Sequence, residues 1–384
     1  MKVLTGKQRM LNAYRGVFSD RVAIAPEFWY YYPAKLLGVD MIEFQREVPF
    51  HQALKTTFAK FSCEGWCNGG GSVPNLDVTV RREETWVDAD TLEVRWIHKT
   101  PHGELACADR FNRHEPSWCV ERLVKDLERD LPAFEDVVFG GDVEQTDFSG
   151  MVRAWTEVGD AYLYEASAAS TFFDMYGWGR HGGFEATVMD FMNEDLEPTL
   201  RRMHERHIER SVRMTRAICE KTPLESLFIG CGWSCNSLEG PTLWRRWDKP
   251  VIRAVAEEAH RHGRVLHLHF HGASMETSAD FAEIGVDCVC PFERPPGGDV
   301  AGAAGLVELA RQLAGRTTMN GNVHTVETLI RGTPADVRRE VGEILEAFAG
   351  NPRVIVGTGD QVGRETPEEN LHAMIDEAKR ISRG

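Results

Sequence analysis

The stretch Pro250–Gly272, PVIRAVAEEAHRHGRVLHLHFHG, contains the unit from which the rest of the chain can be read. Its first half puts Val251, Ile252, Val255 and Ala259 on one face of an α-helical period, with Gly263 after it as a residue that accepts a left-handed turn. The spacing predicts a helix over Pro250–His262. The second half, VLHLHF at Val265–Phe270, is a short apolar run with a period of two, as in a buried strand. A helix followed by a short buried strand is the rhythm of βα units and a parallel sheet.

Working outward, the same rhythm recurs. Leu227–Cys231 (LFIGC), Val286–Pro291 (VDCVCP) and Arg353–Gly357 (RVIVG) are short apolar runs bounded by Gly, Pro or polar turns, and Thr317–Asn322 (TTMNGN) falls at the expected interval between them. Thr333-Pro334 and Thr366-Pro367 each read as a helix start with Thr as N-cap and Pro at the first helical position. Toward the N-terminus, Asp20–Trp29 reads as a first strand, Glu64–Gly71 as a second and Asp160–Ala166 as a third. Between the last two, Asp77–Phe111 carries alternating runs (VTVRREETW, TLEVRWIH) and predicts an antiparallel excursion. Eight strands in βα order predict an α/β fold of the (β/α)8 TIM-barrel type. The expected organisation is one domain over residues 1–384, with a helical N-terminal extension and an antiparallel β insertion at 77–111; such insertions sit in βα loops on the active-site face.

Composition narrows the function. The 384 residues are 42% hydrophobic and 27% charged, with a net charge of −15 and no Lys/Arg run able to track a phosphate backbone, so nucleic acid is not an expected partner. No uninterrupted apolar stretch of about 18 residues occurs, and Met1–Arg15 carries no apolar stretch with a cleavage site. The expectation is a cytoplasmic protein without a membrane partner. Nine cysteines lack C-x-x-C spacing and read as reduced thiols, mostly small buried hydrophobes. Cys231 and Cys235 stay open because they flank a strand end. Gly297-Gly298-Asp299 and Gly357-x-Gly359 lack the G-x-G-x-x-G spacing, so no nucleotide cofactor follows.

In a barrel, chemistry is carried at the C-terminal ends of the strands. The residues there are Glu27 and Trp29, Tyr164 and Glu165, Cys231 and Trp233, His269 and His271, Glu293, Asn320 and Asn322, then Thr358 and Asp360. Solvated strand ends are polar in any protein. His267, His269 and His271 stand out because alternation puts all three on one face, His267 deepest and His271 nearest the mouth. The competing reading is a satisfied core histidine. Neutral imidazoles at i and i+2, joined by a carboxylate such as Glu293 on the next strand, suit Zn²⁺.

Taken together, several segments resemble the uroporphyrinogen decarboxylase superfamily: HFHG at His269–Gly272, IGVDCVCPFE at Ile284–Glu293, PPGGDV at Pro295–Val300, NGNV at Asn320–Val323, LIRGTPADV at Leu329–Val337 and TGDQVGRETPEENLHAMI at Thr358–Ile375. QRMLNAYRG and DRVAI within Gln8–Ile24 are similar to that superfamily's opening. The decarboxylases proper carry an N-terminal arginine-rich segment and a His between two late glycines. Here the first strand runs into Glu27-Phe28-Trp29-Tyr30-Tyr31-Tyr32, and Thr358 stands between the glycines. The corrinoid-linked methyltransferase branch carries His-x-Cys-Gly, a later acidic residue and a Cys in the Gly-x-Gly. Against that pattern His269 holds the His position, His271 the first Cys position and Glu293 the acidic position, while Thr358 replaces the second Cys.

The resemblance implies a zinc-dependent methyltransferase, with His269, His271 and Glu293 as metal ligands and Asp360 or Cys231 in reserve. The methyl group would pass between a small methylated substrate, such as an aromatic methyl ether, and a corrinoid carried by a partner protein. Trp29, Tyr30, Trp233 and Phe292 are the expected substrate-binding wall, and Tyr164, Asn322 and Asp360 the expected catalytic or orienting groups. Two other readings stand beside it: a metal-independent decarboxylase of a small acid with His269, His271 or Asp360 as proton donor, and a binding module for the corrinoid protein. A homodimer is the assembly left open.

Overall fold

A computed structural model describes residues 3–382. In chain order its strands are β1 (Ala23–Glu27), β2 (Trp66–Gly69), β3 (Thr79–Trp86), β4 (Thr91–Thr100), β5 (Gly103–Asn112), β6 (Trp118–Glu121), β7 (Leu163–Ser170), β8 (Ser226–Cys231), β9 (Val265–Phe270), β10 (Cys288–Pro291), β11 (Thr318–Val323) and β12 (Val354–Gln361). Eight of them form one curled parallel sheet in the order β1-β12-β11-β10-β9-β8-β7-β2, with helices between successive strands. The architecture is TIM-barrel-like. It corrects the expectation of a fully closed barrel, because no ladder joins β1 to β2 among the described residues.

Side chains occupy that seam. Glu64, just before the four-residue β2, accepts from Arg9 Nη1 (2.9 Å), Arg21 Nη1 (2.9 Å) and the Ile24 backbone N–H (2.9 Å), while its own N–H reaches Ile24 O (2.9 Å). Arg9 lies on the first helix, Gly6–Arg15, which Thr5 starts through a capping box with Gln8. The N-terminal helix therefore clamps the opening between the first two strands of the barrel. Arg9 also donates from Nε to Asp20 Oδ1 (2.7 Å), and this hydrogen bond is the main reason the Asp20 carboxyl falls from 3.8 to about 2. A depressed carboxyl contributes stability that is complete above its unfolded value and lost as pH falls through the folded one. Acid titration of wild type against Asp20→Asn is expected to show the difference in stability shrinking between about pH 4 and 2; a gap unchanged to pH 2 counts against the assignment.

Alternation divides the strands into two faces. Ile24, Leu227, Ile229, Leu266, Leu268, Phe270, Val289, Met319, Val354 and Val356 face outward and form the main core under the helices. Ala23, Ala25, Trp66, Leu163, Phe228, Val265, Cys288, Cys290 and Ile355 form a second, inner cluster on the concave face. The polar residues Glu165 and His267 lie within it, fully buried. Gly357 lies where strands crowd: an added Cβ would stand 2.5 Å from Asn320 Oδ1 and 3.0 Å from the Gly321 nitrogen. Its glycine serves packing.

The insertion forms a separate antiparallel sheet, β3-β4-β5-β6. It extends past the expected 77–111 span to β6. The sheet packs through Leu105 on Leu131 and Phe134 of the helix Leu127–Phe139. Two helix starts also differ from expectation. The helix expected to begin at Pro250 begins at Pro241 and carries Pro250 inside it, because Trp244, Trp247 and Val251 form one buried stripe across that position. Their burial offsets the roughly 3 kcal/mol an internal proline costs. Thr333 caps its helix as expected, whereas Pro367 rather than Thr366 is the N-cap of Glu368–Ile381. All nine cysteines are free thiols, seven of them buried, and no described helix is long and apolar enough to cross a membrane.

Candidate active and metal site

The inward positions of β9 set the site. His267 is fully buried, His269 is 9% exposed, and the His271 side chain, one residue past the strand, is 32% exposed. Depth therefore rises from mouth to interior along one row of imidazoles. Register brings β10 alongside, with His267 paired to Cys288 and His269 to Cys290.

A continuous polar chain follows from these pairings. Ser226 Oγ donates to Glu165 Oε1 (2.6 Å), and Glu165 Oε2 lies 2.9 Å from His267 Nδ1. His267 Nε2 is 3.1 Å from Cys290 Sγ, which is 3.0 Å from His269 Nδ1. His269 Nε2 and His271 Nε2 are 2.7 Å apart, and His271 Nδ1 is 3.0 Å from Glu293 Oε1. Glu293 Oε1 also accepts from the Gly272 N–H (2.9 Å). Every imidazole nitrogen in the row is engaged.

Electrostatics separate the two outer histidines. Burial, then the neighbouring His271 and His267, holds the His269 imidazolium well below its ordinary range, so His269 is a neutral base. Burial pulls His271 the same way but is outweighed by the Glu293 hydrogen bond and by the charges of Asp360, Glu293 and Glu27, which push it up to about 9. Glu27, at the end of β1, is raised to about 8 by burial and by Asp360. Burial likewise raises Asp360.

His269, His271 and Asp360 offer donor atoms that all lie within 4.8 Å of one another. Of the expected ligands, His269 and His271 belong to this group together with Asp360, whereas Glu293 lies outside it. Glu293 bonds the nitrogen of His271 that faces away from His269, so it orients that ring from behind, and Asp360 from β12 takes the place in front. The donor set fits a divalent ion of the zinc type: one imidazole already neutral, a second held by an outer carboxylate, and a carboxylate facing both. Thr358 is fully buried and accepts the Glu27 N–H through Oγ1 (3.0 Å), tying β12 to β1.

A cleft of about 340 Å³ opens over these residues, lined by Trp29, Tyr30, Trp178 and Phe228 together with His269, His271 and Asp360. Trp29 and Tyr30 lie where expected. Trp233 instead packs edge-on against Phe184 and under Arg122, and Phe292 is fully buried against Phe281. Tyr164 belongs to the outer core, because alternation on β7 turns Glu165 inward. Asn322 is spent locally: Nδ2 donates to Phe292 O (2.8 Å), and Oδ1 accepts from Arg294 Nε (3.3 Å). Cys231 lines the cleft but belongs with the outer core.

The sequence reading passed over Phe228, Trp178 and Cys290. Phe228 and Cys290 were findable, since F-x-G on β8 and C-x-C on β10 alternate in step with H-x-H on β9. Trp178 was not, because it comes from a loop-side helix, Phe172–Gly179.

The uroporphyrinogen decarboxylase (URO-D) family model matches residues 186–381, and the chain belongs to that family. A curated uroporphyrinogen decarboxylase from Paraburkholderia phytofirmans is 26% identical over 144 residues, which are 37% of this chain and 36% of that protein. The alignment thus spans about a third of the relative's length. Among solved structures, a methyltransferase from Methanosarcina mazei superposes with a TM-score of 0.65 at 16% identity, over 98% of this chain and 99% of that one. The two share a fold over their whole lengths.

Proposed function

We propose that the protein is a zinc-dependent methyltransferase that moves a methyl group between a small methylated substrate and a corrinoid carried by a partner protein. The observation that carries this reading is the convergence of His269, His271 and Asp360 beneath an aromatic cleft. These three residues would hold the metal. When bound, zinc supplies a Lewis acid for the oxygen or sulfur that gives up or receives the methyl group.

The remaining work falls to the chain itself. His269 is available as a neutral ligand without first losing a proton. His271 gives one up as the site fills, so occupancy rises with pH. Glu293 fixes the tautomer and tilt of His271. Trp29, Tyr30 and Phe228 exclude water from one side and offer flat faces that suit an aromatic methyl ether, and Trp178, 49% exposed, forms the rim. The open mouth leaves the methyl group accessible to a corrinoid presented by the partner.

The test is elemental analysis of the purified protein together with a cobalamin methylation assay over a panel of methyl donors. Stoichiometric zinc with methyl transfer from at least one donor is the expected result; a metal-free active protein overturns it. Glu293→Gln keeps the shape but weakens the hold on His271, and is expected to lower metal affinity about 10- to 100-fold. Competition with a chelator measures this, and an unchanged affinity removes Glu293 from the assembly.

A second reading has its own observation. With no ion bound, His271 is raised to about 9 and stands as an imidazolium at the mouth beside Asp360, a proton donor suited to decarboxylation of a small acid. Decarboxylase activity that persists through exhaustive chelation selects it.

A further inference from the structure

A second group of donors sits one layer deeper, on the opposite edge of the same imidazole. Glu27, His269 and Cys290 present ligand atoms within 4.8 Å of one another, and all three residues are buried. The outer group meets His269 at Nε2, 2.7 Å from His271 Nε2. The inner group meets it at Nδ1, which lies 3.0 Å from Cys290 Sγ and 3.8 Å from Glu27 Oε2. Two ligands of one ion, at about 2.0 Å for nitrogen and 2.3 Å for sulfur, stand about 3 to 3.6 Å apart when their angle lies between square and tetrahedral. The nitrogen–sulfur separation of 3.0 Å falls at the lower end of that range, and the Glu27 oxygen, at 3.8 Å from the same nitrogen, stands a few tenths of an ångström outside it.

The surroundings are also those of a held ion. Among the described residues the Glu27 side chain has no lysine or arginine partner: its contacts are the Trp29 Nε1–H (3.2 Å), His269 and the Cys290 thiol. Cys290 faces two ring nitrogens, with His267 Nε2 at 3.1 Å behind it. His267 is in turn fixed by Glu165, the arrangement by which an outer carboxylate orders an imidazole near a metal. A donor set of one thiolate, one imidazole and one carboxylate in a dry interior selects a thiophilic transition ion over Mg²⁺ or Ca²⁺.

We infer that Glu27, His269 and Cys290 form a second metal site for a thiophilic divalent ion such as Zn²⁺ or Co²⁺, joined to the outer site through the two nitrogens of His269. Filling it releases the Cys290 thiol proton and the Glu27 carboxyl proton and, when both sites are filled, the ring proton of His269, and all of these protons pass to water. Cys290 gives the inner site a thiolate of the kind the outer set lacks, since Thr358 offers none. The inner site does not depend on the methyl-transfer reading, because its donors are complete without His271 or Asp360.

The test is a Co²⁺ titration of the full-length protein after chelation, read as ions bound per chain and as the intense near-ultraviolet thiolate-to-cobalt band. Wild type is expected to bind two ions and show the band. Cys290→Ser is expected to lose the band and one ion, and Asp360→Asn to lose one ion but keep the band. Circular dichroism of the metal-free variants establishes that each is folded, and the Asp360→Asn result stands even if Cys290→Ser is not. Binding without a thiolate band, or a band that survives Cys290→Ser, overturns the inner site. One ion with a band that Cys290→Ser removes supports it and counts against the outer site instead.

Discussion

His269→Ala is expected to abolish stoichiometric metal binding and lower kcat/KM for methyl transfer by about three orders of magnitude. His269 is the residue shared by both donor groups, so its loss leaves His271 and Asp360 as an incomplete pair at the mouth and Glu27 and Cys290 as an incomplete pair below. Electrophilic assistance to a departing or attacking heteroatom is worth several kcal/mol, and each 1.4 kcal/mol is a factor of ten in rate. The ring also packs against Trp66 and Phe228, with centroids 5.7 and 6.3 Å away, so the variant opens a small cavity. Thermal melting of the metal-free proteins separates that cost from the chemistry. A variant that keeps its metal and within tenfold of the wild-type rate would remove His269 from the centre of the site.

Glu64→Ala is expected to give the largest loss of stability from a single surface-distant charge. The carboxylate is 2% exposed and receives two guanidinium groups whose side chains are themselves 9% and 8% exposed. Removing it leaves Arg21 buried without a counter-charge and Arg9 with Asp20 alone, which costs about 3–5 kcal/mol. For a chain of this length that is a fall in Tm of about 4–6 °C. The double variant Arg21→Met, Glu64→Leu, which keeps the Arg9–Asp20 pair, should recover most of the loss, because a buried ion pair replaced by apolar groups of similar volume is near neutral. Comparing the two melts tests whether the seam between β1 and β2 depends on charge pairing or on filled space. A Glu64→Ala protein as stable as wild type would show that the seam needs neither.

Much of the fold was legible because burial imposes a period on the chain. VLHLHF at β9 has the bounds its alternation predicts, and the insertion sheet follows from its two-residue alternation up to β5. Where burial and local propensity pull apart, the reading failed. Pro250 looks like a helix start, but the Trp244, Trp247, Val251 stripe runs through it. β6 is four residues long, too short for its period to show. The open ladder between β1 and β2 left no trace in either strand, since it reflects side chains from Arg9, Arg21 and Glu64 converging from three separate segments.

For the site, the sequence by itself determined the family, the row of three histidines and their order of depth, because strand alternation assigns every second residue to one face before any tertiary contact forms. Only the tertiary structure decided which edge of each imidazole meets which group. Glu293 stands behind His271 and Asp360 in front of it, and Glu27 and Cys290 stand on the far nitrogen of His269. Ring orientation is set by contacts among β1, β9, β10 and β12, strands far apart in the chain. Curling the sheet brings their ends together around the two edges of His269.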